Sequence, residues 1–229
     1  AGSFGSLKTQ LLDLARTVPQ TADDITKSAY QAISAGIPKD EVAAFLSTAS
    51  RTAVAAGSTM TEAVDVLTAS VNAFKDQGLT ANKASDILFK TVKNGVTTVQ
   101  ELQQNMGKAT GLAQFGVSFE EINAAVAQMT KLGTPTSEAF TKIVAVVKTL
   151  AAESGPAAKK LKELGVETGV SALQSKGLSG VLAEVQEKTG GSAEIIGTLT
   201  RRFEAVDGML KLMGPNFKQF GGILDANKK

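Results

Sequence analysis

Residues 116–122 read Gly-Val-Ser-Phe-Glu-Glu-Ile, and the fold turns on whether Glu120 and Glu121 are an acid pair or a helix start. A Ser followed three residues later by Glu is the signature of a capping box. In that motif the Ser118 hydroxyl accepts from the Glu121 N–H, and the Glu121 carboxylate reaches back to the Ser118 N–H. Val117 before the cap and Ile122 at the fourth helical position supply the matching hydrophobic staple. Glu120 then lies in the first turn, where a negative charge meets the positive end of the helix dipole. Neighbours on a helix point about 100° apart, so these carboxylates cannot converge on one sugar as glycosidase acids do. The stretch is helix punctuation.

The same punctuation recurs along the chain. Thr21/Asp24, Thr59/Glu62 and Thr98/Glu101 repeat the box, and Thr134 before Pro135 makes a cap with proline at the first helical position. Between these signals the apolar residues follow helical periodicity, and no stretch alternates with period two. Helices are expected near 4–16, 21–35, 39–56, 60–77, 80–94, 98–115, 119–132 and 136–153. Shorter ones follow near 157–164, 170–176, 179–189, 193–213 and 216–226. Short Gly- or Pro-marked connections favour antiparallel neighbours.

The opening stretch also has counterparts at Gly36–Val42 and Gly78–Ala84, and each copy runs on to a second glycine at 57, 95 or 133. Each then restarts with Thr and an acid, in Thr59/Glu62, Thr98/Glu101 and Thr134/Glu138. This reads as about three antiparallel helical hairpins of roughly forty residues, in a bundle or short solenoid. Degenerate helix punctuation without common ancestry explains the match equally well. After Gly155-Pro156 glycines crowd together, which divides the chain into a hairpin region, 1–155, and a looser helical region, 156–229, packed on it. The fold class is all-α.

Composition narrows the chemistry. The 229 residues include no Cys, His or Trp, and the aromatic share is 5%. Without Cys or His there is no disulfide, no thiolate metal site, and neither the usual general base nor the usual zinc ligand. No cofactor or metal is expected. The formal charge of +2 is evenly spread, with ten bases and ten acids in 1–115 and fourteen and twelve in 116–229. Such a chain sets up no field for specific nucleic-acid binding. The basic clusters at Lys159-Lys160-Leu161-Lys162, Arg201-Arg202 and Lys228-Lys229 read as solvated helix faces.

The longest apolar run, Ile143–Ala152, contains Lys148 and is half of what a bilayer span requires. The first residues, AGSFGSLKTQ, have neither the basic nor the apolar region of a signal peptide, and the chain reads as a segment of something longer. Gly107-Lys108-Ala109-Thr110 lacks both the first glycine and the Lys-Ser/Thr step of a phosphate loop. No His or Cys supplies a base for a nucleophile, and the Ser and Lys residues that could pair instead are scattered over solvent-like helix faces, so no enzyme is expected. Gly107 and Gly111 have the small-xxx-small spacing of close helix packing or self-association. The phenylalanines at 45, 74, 89, 115, 119 and 140 are expected in the core, whereas Phe203, Phe217 and Phe220 are candidates for partner contact.

Four stretches together carry a family resemblance: AAFLSTASRTAVAAGSTMTEAVDVLTASVNAF (43–74), the run from Thr91 to Ile143, LKELGVE (161–167) and GLSGVLAEVQEKTGG (177–191). In this order and spacing they resemble the conserved domain of phage tail tape-measure proteins, the minor tail proteins of long-tailed phages. TPTSEAFT (134–141) departs from the Gly-rich turn of many relatives. The resemblance implies a structural protein that templates the tail tube, sets its length, occupies its lumen and is expelled during genome delivery. It implies contacts with the tail tube, with tail-tip and baseplate hub proteins and with further copies of itself. Its location would be the tail lumen or tip of the virion, and the host cytoplasm during assembly. The alternative is a helical-repeat scaffold that holds a peptide or protein in a concave groove. Helices that stop every fifteen to twenty residues fit a compact module better than a stretched ruler, and continuous helices through 57, 95 and 133 would contradict that.

Overall fold

Left-handed glycines end the helices where the sequence marks them. Gly57 (φ 63°), just past one helix, and Gly116 (φ 83°), just before Val117 and Ser118, adopt a conformation closed to residues with a Cβ. The computed structural model describes residues 4–229, which are all-helical, with no strand among them. The helices are α1 (Phe4–Thr17), α2 (Ala22–Ser34), α3 (Val42–Ala56), α4 (Met60–Ala73), α5 (Ala81–Asn94), α6 (Val99–Ala109), α7 (Phe119–Lys131) and α8 (Thr136–Leu150). Then come α9 (Gly155–Glu163), α10 (Val170–Thr189), α11 (Ala193–Leu199), α12 (Phe203–Leu212) and α13 (Phe217–Lys228).

Several boundaries differ from the sequence reading, each for a local reason. The helix expected over 98–115 tightens into a 3-10 turn at Thr110–Phe115, and that expected over 60–77 does the same at Lys75–Gln77. The helix expected over 193–213 is two helices. Thr200 is extended (φ −148°, ψ 152°) and its hydroxyl accepts from the Arg202 N–H at 3.2 Å, a local bond that competes with helix continuation. Thr134 does not cap α8; Pro135 stands at that position, and the Thr134 hydroxyl accepts instead from Lys211 Nζ at 2.6 Å. Within α10, Gly177 (φ 71°, ψ 175°) breaks the helical path, so its two halves are distinct helices, as the gap between 176 and 179 implied.

The chain forms two compact units, residues 4–89 with Thr98–Met106, and Lys90–Thr97 with Gly107–Lys229. This division differs from a boundary at 155, because α7 and α8 pack on α12, and α7 also on α13, so residues on both sides of Gly155 share one core. In the first unit α2, α3 and α4 contact one another and α1 contacts α2 and α3. Its core holds Ile25, Phe45, Leu46, Val64, Leu67 and Phe74. Side-chain hydrogen bonds join α3 to α5: the Thr48 hydroxyl donates to the Asn82 side-chain oxygen at 2.6 Å, and the Thr52 and Ser85 hydroxyls lie 2.6 Å apart. The second unit is built around α7, every residue of which from Phe119 to Thr130 is buried. No helix among the described residues is long and apolar enough to cross a membrane.

Candidate functional site

A helix buried all round is expected to be apolar all round, yet α7 reads FEEINAAVAQMTK. Its polar groups must therefore find partners inside the unit. Asn123 donates to the Phe119 carbonyl at 2.9 Å, and its side-chain oxygen accepts from the Thr91 hydroxyl at 3.3 Å. The Thr130 hydroxyl accepts from the Val96 N–H at 3.0 Å, which pins the α5–α6 connection. Gly95 lies beside it, so close that a Cβ would stand 2.9 Å from the Ala127 backbone. At the other side, Asn227 donates to the Glu120 carbonyl at 3.2 Å and Gln128 donates to Gln219 at 3.3 Å, so α13 lies antiparallel along α7.

Glu121 has the densest set of bonds. One carboxylate oxygen accepts from the Ser118 N–H at 3.0 Å and the Ser118 hydroxyl at 3.1 Å, while the Ser118 hydroxyl accepts from the Glu121 N–H at 3.2 Å. The other oxygen accepts from the Ser179 N–H at 2.9 Å, at the start of the second half of α10. One carboxylate thus caps two helices. Gly177 allows this, since a Cβ there would stand 2.6 Å from that oxygen.

A second polar cluster joins α8 to α12. Lys142 Nζ lies 2.9 Å from Glu138 and 3.6 Å from Asp207, and Lys211 lies 3.3 Å from the same Asp207. Burial pushes the Lys142 ammonium down, but the hydrogen bonds and charges of Glu138 and Asp207 outweigh it and hold it above the usual lysine value. Gly208 lets the helices meet, because a Cβ there would come 2.8 Å from Val146 Cγ2. A third cluster spans the α10 break. Lys176 pairs with Glu167 at 2.6 Å and with Glu184, which lowers the Glu167 carboxyl and raises the Lys176 ammonium.

The expected site residues are placed as follows. Thr59 and Glu62 exchange bonds at 2.9 and 3.2 Å, and Thr98 and Glu101 at 3.0 and 3.2 Å. Gly107 and Gly111 do not mediate helix packing within the chain: both are exposed, a Cβ on either would meet open space, and Gly111 lies beyond the end of α6. Phe203 is 74% exposed and Phe217 is half-buried, but Phe220 is fully buried and belongs to the core under α13. Phe89, expected in the core, is 44% exposed. Sequence reasoning missed Gly208 and Ser179; a glycine among apolar residues in α12 was the available signal for the first, and nothing local marked the second.

An open cleft of about 560 Å³ has Lys162 and Glu167 in its lining. Lys162 donates to the Glu153 carbonyl at 3.2 Å and Glu167 is held by Lys176. Among the described residues no three His, Cys, Asp or Glu side chains gather as a metal site. The arrangement is one that builds and locks helices.

The model of the phage-related minor tail protein family matches residues 8–200, from α1 to the end of α11. The chain belongs to this family. No curated protein and no solved structure matches it. Membership in the minor tail protein family implies a structural, virion-associated role in the phage tail, and an architecture whose polar side chains are spent on helix caps and helix–helix locks accords with that.

Proposed function

We propose that this minor tail protein chain is a compact helical module of a tape-measure protein. The observation that carries the reading is that α3, α5 and α7 end at 56, 94 and 131, each followed by a break before the next helix, within a chain that matches the minor tail family. On this reading α3–α4 and α7–α8, whose members pack together, are antiparallel hairpin modules, and chain order makes α5–α6 a third. The protein is not an enzyme. It works in the tail lumen or at the tip through helix contacts with the tube, with tip and hub proteins and with further copies of itself. It templates the tube, contributes to its length and leaves with the genome; before assembly it resides in the host cytoplasm.

The test is an in-frame deletion of these 229 residues in the phage that encodes them, with tail length measured by electron microscopy. A fully extended helix of this length would span about 340 Å, at about 1.5 Å per residue. A compact module predicts tails shortened by much less than that, or assembly that fails at the tip. Shortening by the whole extended length would refute compactness. Normal tails of unchanged length would refute the tape-measure role for this segment.

A further inference from the structure

Where α11 gives way to α12, three consecutive side chains stand in solvent: Arg201, Arg202 and Phe203 are all exposed. The backbone is extended at Thr200 and Arg202 (φ −81°, ψ 107°), and Phe203 opens α12. The support behind them is firm, since Ala205, Met209 and Leu212 seat α12 in the core. Phe203 itself is 74% exposed. Neither guanidinium is paired with a carboxylate among the described residues. From α9, Lys160 donates to the Thr198 carbonyl, which brings a third positive charge to the same end of α11.

A large ring left in water costs hydrophobic free energy, and Arg with aromatic residues are the types that concentrate energy in protein interfaces. The local charge defines the complement. Arginines pair carboxylates in a planar, bidentate geometry. A polyphosphate backbone is disfavoured, because its affinity depends on a broad positive field and the chain as a whole carries only +2. We propose that Arg201, Arg202 and Phe203 form the docking point for an acidic protein segment, its carboxylates on the arginines and an apolar side chain over the Phe203 ring. The proposal names a surface and a partner chemistry for the structural reading above, and it rests on that reading only in taking the chain to work through protein contacts.

The probe is a short fluorescein-labelled peptide of Asp, Glu and Leu, titrated with the whole chain and followed by anisotropy. Controls are the same peptide with Asn and Gln for the acids, and labelled oligothymidylate. Saturable binding of the acidic peptide is expected, weakened by about tenfold or more in Phe203→Ala and in Arg201→Gln/Arg202→Gln, with melting temperatures unchanged. Absence of saturable binding, equal binding of the neutral peptide, unaffected variants, or preference for oligothymidylate would each overturn the proposal. The deletion test of tail length is independent of all four outcomes.

Discussion

The Glu121 carboxylate accepts a hydrogen bond from the Ser179 N–H at 2.9 Å, across 58 residues of sequence. The same side chain closes the Ser118 capping box, so the group that starts α7 also starts the second half of α10. Helix N-termini each leave four N–H groups without intrahelical partners. Serving two such ends with one buried carboxylate couples their stability.

Removing the two halves of the box should therefore be unequal. Ser118→Ala should cost about 1 kcal/mol, the usual value of a cap. Glu121→Ala leaves the Ser118 and Ser179 N–H groups without their acceptor and should cost about 3 kcal/mol. Urea unfolding of the two variants measures this; equal losses would show that the Ser179 bond contributes nothing.

Glycine substitutions should separate by environment. Gly107→Ala, in open space inside α6, should stabilise by about 0.5–1 kcal/mol through helix propensity. Gly208→Ala should destabilise by about 1–3 kcal/mol, because its Cβ meets Val146 and the Lys142 carbonyl across the α8–α12 contact. Thermal unfolding of the pair gives the two signs.

Two phenylalanines of the same stretch should behave oppositely. Phe220→Ala empties a fully buried position and should cost about 3–5 kcal/mol. Phe203→Ala removes an exposed ring and should stay within about 0.5 kcal/mol of the parent. Denaturant midpoints of the two variants check it.

Lys142 gives a pH signature. Its folded-state value is raised above the unfolded 10.5, so its stabilisation is complete below about pH 10.5 and disappears as pH rises through the higher folded value. Lys142→Met should lose about 1 kcal/mol at neutral pH, modest because Glu138 is largely exposed and Asp207 keeps Lys211. Stability curves of parent and variant should run parallel from neutral pH upward and converge above pH 10.5. A gap that widens there would reverse the assignment.

The sequence by itself determined several helix starts and stops, because caps and left-handed glycines act within four or five residues, but not the break at Thr200 or the 3-10 turns at Lys75–Gln77 and Thr110–Phe115. Thr59/Glu62, Thr98/Glu101 and Ser118/Glu121 were legible as boxes, and Gly57 and Gly116 as stops. It determined the all-helical class for the same reason, since periodicity is local. What only the tertiary structure decided is which polar residues are buried and which glycines are approached. Glu121 reads as the cap partner of one helix, and only α10 gives it a second; Thr134 reads as a cap, and only Lys211 explains why its hydroxyl is engaged elsewhere. Gly107 and Gly208 are both glycines in helices, and only the arrival of α8 at one of them separates open space from close contact. Phe203 and Phe220 are equally apolar, and only packing left one in solvent and placed the other beneath α13. These outcomes depend on contacts between residues tens of positions apart, whose free energies no local pattern encodes.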